Sequence, residues 1–166
     1  MENHSNIRVG IGFDAHRFQK GRKLVLGGVE IPFEEGLFGH SDADVLVHAI
    51  IDALLGAAGL SDIGRHFPSE KKEYAGISSL VLLSNVYEEI ASLGFRPVQI
   101  DSVVICEQPK LSGTIDTMRK RIAEVVHLEE ELVNVKAKTT EGMGFTGRRE
   151  GIAAQAVALV IRKEKA

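Results

Sequence analysis

The sequence has no tryptophan, one cysteine and only four prolines. A lone Cys106 excludes an intrachain disulfide and any cysteine-rich zinc module. With no disulfides to form, a cytoplasmic location is expected. No apolar run approaches the roughly 18 residues of a membrane-spanning helix, so no membrane partner is expected. The polar start, Met1 to Asn6, has neither the apolar stretch of a secretory signal nor the arginines of a transit peptide. Positive charge is not in excess: 20 Lys+Arg against 23 Asp+Glu leave −3. A general nucleic-acid binder carries a basic footprint, so nucleic acid is not an expected partner either.

What is present describes a soluble globular chain. Hydrophobic residues make up 44% and charged residues 26% of the 166 positions, enough for one domain, 1–166, with its own core. Seventeen glycines cluster at 10/12, 27/28, 36/39 and 142/144/147/151, which suggests backbone approaching something closely. Ile7, Val9, Ile11, Phe13 and Ala15 alternate with Arg8, Gly10, Gly12, Asp14 and His16, the period of a strand with one apolar face. Lys23 to Leu26 and Val29 to Ile31 flank Gly27-Gly28 as a short hairpin. Helices are predicted at 45–58, ended by Gly59, at 78–93, ended by Gly94, and at 112–127, with Ser112 as N-cap. Strands at 98–107 and 133–138 and a last apolar helix at 151–162 complete the order. Interleaved strands and helices predict an α/β (α+β) two-layer sandwich.

Three groups of residues can carry chemistry. Asp14 and His16, two apart on a strand, leave the same face, which Gly10 and Gly12 keep bare. They read either as a strand-end salt link or as two ligands for a borderline metal such as zinc. The helix at 45–58 is apolar nearly all round, yet Asp44, His48 and Asp52 lie four apart on one face. His48 is then either a satisfied core histidine or a third metal ligand with an aspartate behind it. Three protein ligands would leave one position open, as catalytic zinc requires. Just before this helix, His40-Ser41-Asp42 reads as a cap or as an anion site.

The third group is Lys138 to Arg148. Gly142, Gly144 and Gly147 spell G-x-G-x-x-G, but only 19 residues follow Gly147. A dinucleotide fold needs another strand beyond the helix, so that reading is rejected. What remains is a polar loop with a cap, or a set that holds a diphosphate, with Glu141 on a hard cation such as Mg²⁺. Cys106 reads as a packing residue. His4, His66 and His127 have no spaced partners and are expected at the surface, and Arg119-Lys120-Arg121 reads as a wet helix face.

Taken together these stretches resemble one family, the 2-C-methyl-D-erythritol 2,4-cyclodiphosphate synthases. The resemblance is carried by Gly12 to Arg17, Leu26 to Pro32, and His40 to Asp44 with His48. It continues through Asp52 to Ala57, Asp62 to Pro68, Gln108 to Lys110, Asn134 to Glu141 and Gly144 to Arg148, in family order over about residues 7–163.

The resemblance implies a homotrimer with active sites between subunits, each subunit a four-stranded mixed sheet with helices on one face. It implies the lyase that converts 4-diphosphocytidyl-2-C-methyl-D-erythritol 2-phosphate to the cyclodiphosphate and CMP, on the methylerythritol phosphate route to isoprenoids. It makes Asp14, His16 and His48 ligands of one Zn²⁺ per subunit and Glu141 the ligand of Mg²⁺ or Mn²⁺. His40 and Thr139 take the catalytic positions. Ser41 matches a phosphate contact, and Asp62 and Gly64 match ribose contacts. Cys106, Pro109, Lys110 and Ser112 match the cytosine pocket, supplied by the neighbouring subunit with Thr139 and Thr140. Phe67, Ser69, Lys71, Lys138 and Phe145 are further substrate contacts. Arg148 and Phe13 match an axial cavity for isoprenoid diphosphates. Two departures stand out: Lys138 replaces a family threonine, and Arg149 stands where the family often has glycine. A metal-dependent phosphohydrolase and a non-catalytic trimeric binding module remain as competing classes.

Overall fold

The computed structural model describes residues 6–162; His4 lies outside them. The strand predicted at the start runs further than its apolar alternation, as β1 (Ile7–Lys20). The Gly-Gly hairpin forms as expected from β2 (Leu24–Leu26) and β3 (Val29–Ile31), with Gly27 and Gly28 both at positive φ. After β4 (Glu35–Leu37) come α1 (Val45–Ala58), a short α2 (Ile63–His66) and α3 (Ser79–Ser92). Then follow β5 (Phe95–Ile105), α4 (Ile115–Val126), β6 (Val133–Lys138), a one-turn α5 (Gly144–Gly147) and β7 (Gly151–Arg162).

The main sheet has five strands rather than four, in the order β4-β1-β7-β5-β6. The extra strand is the three-residue β4, paired with the far end of β1 at Phe18–Lys20. The sheet is mixed: β5 and β6 run parallel, and the other neighbours are antiparallel. α1, α3 and α4 bury one face of it, so the two-layer arrangement stands.

Residues 151–162, expected as a helix, form the central strand instead. The segment is twelve residues long, largely apolar and alanine-rich, so neither length nor propensity argues for a strand. Register does: β7 pairs with β1 on one side and β5 on the other, and Ile152, Ala154, Ala156, Ala158 and Val160 all point into the helix layer, fully buried. Ser112 is not a cap either; α4 begins at Ile115 behind Thr114. Arg119 and Arg121 are not simply wet: they donate to the carbonyls of Val133 and Gly28, tying α4 to β6 and to the hairpin. Arg149 has φ 60, the left-handed conformation that glycine adopts without strain.

β1 holds the main surprise. Its apolar residues Ile7, Val9, Ile11 and Phe13 are 52–64% exposed, on the face without helices. The helix layer takes the other face, through Gly10 and Gly12. A methyl group on Gly10 would overlap the Ala53 carbonyl oxygen, and one on Gly12 the Ala49 carbonyl oxygen. Ala49, Ala53 and Ala57 recur every fourth residue along α1, so the helix backbone lies directly on the strand. Backbone cannot yield as a side-chain tip can. Gly12→Ala should therefore destabilise the protein by about 3 kcal/mol or more, read by urea unfolding; a midpoint equal to wild type would refute this packing.

Candidate metal centre and active site

The face of β1 that carries Gly10 and Gly12 goes on to Asp14 and His16, and α1 lies over it with His48. Asp14 Oδ2 is 2.8 Å from His16 Nε2 and 2.9 Å from His48 Nδ1, and the two imidazole nitrogens are 3.2 Å apart. Ligands about 2.0–2.1 Å from a tetrahedral zinc lie about 3.3 Å from one another, so these three atoms fit one small cation. Among the described residues this is the one such cluster of three.

Each group is held for the task. Asp14 Oδ1 accepts from Ala15 N–H, leaving Oδ2 for the cluster. His16 Nδ1–H donates to the Phe38 carbonyl at 2.6 Å, which leaves the Nε2 lone pair facing Asp14 and His48. Burial pushes the Asp14 carboxyl up, but the hydrogen bonds and charges of His16 and His48 outweigh it and hold it well below the usual carboxylate range. Burial lowers His16, and the Asp14 carboxylate more than offsets that, so His16 lies above its ordinary 6.5.

Neither Asp44 nor Asp52 stands behind His48, as the helical spacing suggested. Asp44 caps α1 through Val47 N–H and also accepts from Gly27 and Gly28 N–H in the hairpin turn. Asp52 accepts from Ile63 N–H at 2.7 Å and holds the start of α2.

His40, Ser41, Gly64, Phe67 and Ser69 line a cavity of about 230 Å³ with the three clustered residues. His40 Nε2–H donates to the Lys71 carbonyl, so Lys71 contributes here through its backbone. Arg22, which sequence reasoning missed, grips the Gly39 and Ser41 carbonyls on either side of His40, at 2.8 and 2.7 Å. Its partners are 17 and 19 residues away, with no local signal to announce them. Asp62 caps α2 through Arg65 N–H and is not among the residues that line the cavity.

A second cavity of about 270 Å³ is lined by Cys106, Pro109, Lys110, Ser112, Lys138 and Thr139, and it shares no residue with the first. Burial, with the Glu107 charge, pushes the Cys106 thiol up to about 11, which removes it as a nucleophile. Glu107 Oε1 accepts from Thr140 N–H at 3.0 Å and Gly142 N–H at 3.3 Å, clasping the loop that carries Glu141. Glu141 has φ 52 and accepts from Thr139 Oγ1. Phe145 lines a separate cleft beside His16 and Arg17, and Arg148 is ion-paired with Glu150. His66, expected to be unpartnered, contacts the Leu60 carbonyl and Glu89; His127 packs against Tyr87.

Fold and site together define an α/β domain with a candidate metal site, a cavity on that site and a second cavity built on separate elements. The YgbB family pattern matches residues 7–161. A 2-C-methyl-D-erythritol 2,4-cyclodiphosphate synthase of Caldicellulosiruptor bescii is 58% identical over 154 residues, 93% of this chain and 98% of the relative. One from Syntrophomonas wolfei is 56% identical over the same length. Among solved structures, a Plasmodium falciparum IspF in complex with CDP is 33% identical, covers 96% of this chain and 98% of its own, and has a TM-score of 0.84. The chain belongs to this family, and its activity is that of a 2-C-methyl-D-erythritol 2,4-cyclodiphosphate synthase, a lyase of the methylerythritol phosphate route to isoprenoids. No helix among the described residues is long and apolar enough to cross a membrane.

The raised His16 has a consequence for metal binding. A protonated imidazole cannot ligate, so below the His16 pKa each ion must displace a proton. Affinity should then fall about tenfold per pH unit. Chelator competition should show the decline already under way above pH 6.5; an affinity flat down to that value would contradict the arrangement.

Proposed function

We propose that the whole chain, 1–166, works as one cyclodiphosphate synthase domain of a cytoplasmic homotrimer, with Asp14, His16 and His48 holding Zn²⁺ and Glu141 holding Mg²⁺ or Mn²⁺. The observation that carries the assignment is the meeting of one carboxylate oxygen and two imidazole nitrogens within 3.2 Å of each other at the floor of a cavity. The bound cations would neutralise crowded phosphates and stabilise the charge that spreads in phosphoryl transfer.

The chain's own part is positioning. The substrate carries its nucleophile, the 2-phosphate, so no side chain has to supply one. Folding it into line with the β-phosphorus replaces a large part of the barrier. His40 and Ser41 sit at the cavity beside the cluster and take the reacting phosphates. Asp62 and Gly64 hold the ribose, and Phe67, Ser69 and Lys71 close that side. Cys106, Pro109, Lys110 and Ser112 form the cytosine pocket, with Lys138, Thr139, Thr140 and Phe145 reaching the same substrate. Thr139 orients the phosphoryl group as it transfers.

Two features support sharing of the site between subunits. The two cavities are separate within one chain. The helix-free sheet face exposes Ile7, Val9, Ile11, Phe13 and Val157, an apolar surface that a monomer would leave in water. Three such faces around an axis would also enclose Phe13, with Arg148 at the mouth of a cavity suited to an isoprenoid diphosphate.

CMP release from 4-diphosphocytidyl-2-C-methyl-D-erythritol 2-phosphate tests the mechanism. His48→Ala should slow it by roughly two orders of magnitude or more, and turnover equal to wild type would sink the assignment. Mass spectrometry of the product separates the cyclic diphosphate from the linear monophosphate that a phosphohydrolase would release. Stoichiometric CDP binding with no turnover and no response to chelators would mark a binding module.

A further inference from the structure

His48 presents only Nδ1 to the metal cluster. Its other ring nitrogen, Nε2, faces away, 2.9 Å from Ser79 Oγ and 3.1 Å from Ser41 Oγ. A ligand at Nδ1 must keep that lone pair free, so the ring proton belongs on Nε2. A hydroxyl opposite Nε2–H can only accept from it.

The two serines differ in what lies behind them. Ser41 Oγ accepts from Ala43 N–H in its own turn and borders the cavity. Ser79 is fully buried, and its hydroxyl donates to Asp42 Oδ1. Its backbone N–H donates to Asp42 Oδ2 at 2.9 Å. Asp42 Oδ1 takes a further bond from Asp44 N–H, which fixes the carboxylate on the loop before α1. The direction of every proton follows. Asp42 has only acceptors to offer, Ser79 must give its proton to Asp42, and Ser79 is then left to accept from His48.

We propose that Asp42 and Ser79 are positioning residues for the metal centre, a carboxylate–hydroxyl–imidazole relay that holds His48 in its Nδ1-ligating tautomer. The proposal rests on reading Asp14, His16 and His48 as metal ligands. The relay orients the ring and makes Nδ1 a better donor, and it does so from the first turn of α3, outside the strand and helix that supply the ligands. Outer partners of metal-bound histidines commonly contribute about 10- to 100-fold in affinity.

The test uses the full chain with zinc and cobalt as probes. Ser79→Ala removes the hydroxyl but keeps the backbone bond to Asp42. It should weaken zinc affinity about 10- to 100-fold in chelator competition, a loss larger than any fall in the melting temperature of the metal-free protein accounts for. Nitrogen NMR of the zinc-loaded protein should show the His48 Nε2–H losing its hydrogen bond. Asp42→Asn should weaken zinc similarly, and combining it with Ser79→Ala should add little, since the two act in series. Cobalt spectra of the variants should shift as the His48 ligand loosens. Zinc affinity and a His48 Nε2–H signal equal to wild type in Ser79→Ala would overturn the relay while leaving the metal centre intact. Additive losses that track the melting temperature would also overturn it, as a purely structural contact. A wild-type chain that takes up neither zinc nor cobalt would overturn the metal centre and the relay together.

Discussion

The contact on which the site depends is the bare approach of α1 to β1. Gly10 and Gly12 let the helix backbone rest on the strand, and Ala49, Ala53 and Ala57 keep the facing side small. With larger residues at these positions the helix would stand off by the thickness of a side chain. His48 Nδ1 would then miss Asp14 and His16, because an imidazole has no length to spare. The glycines that weaken β1 as a strand thus set the distance that makes three ligands converge. Two residues further along the same face, the packing surface becomes the reactive one.

The same choice of face leaves the apolar side of β1 uncovered. Because α1 takes the glycine side, Ile7, Val9, Ile11 and Phe13 must find cover elsewhere or remain in water. In the proposed trimer the neighbouring sheets supply it, and the assembly places one chain's cation site beside another chain's nucleotide pocket. Packing inside the subunit and association between subunits are therefore two results of one alternation along β1.

Much of this was legible in the sequence, and the failures have physical causes. Local signals worked where one residue decides the backbone: the Gly27-Gly28 turn and the Gly59 stop of α1 both reflect a required positive φ. The meeting of Asp14, His16 and His48 was legible because ionisable residues on a buried face need partners. β7 was missed because its strand character comes from neighbours on both sides, and no period in its own residues reports them. Apolarity did not report which side of β1 the helices cover, since close packing selected glycine over isoleucine. Arg22, Glu107 and the Ser79–Asp42 pair were invisible for a similar reason: their partners are 17 to 37 residues away and mostly backbone atoms.

Those distant backbone bonds show how the acidic residues are divided. Asp44 fixes the hairpin turn and the start of α1, Asp52 and Asp62 fix α2, and Glu107 fixes the loop bearing Glu141. Each carboxylate spends its acceptors on N–H groups, and bonds to a charged group are worth about 1.5–3 kcal/mol, roughly twice a neutral one. Loops around a phosphate site cannot be held by apolar packing, because they must stay open and polar to admit the substrate. Charged clamps on the backbone supply the rigidity instead, and they do so from positions that leave the cavity clear. Asp14 differs by a single oxygen: one is used on the neighbouring Ala15 N–H, and the other remains for the cluster. Asp14 keeps an oxygen for the cluster because the backbone around it asks for only half of what its carboxylate can accept.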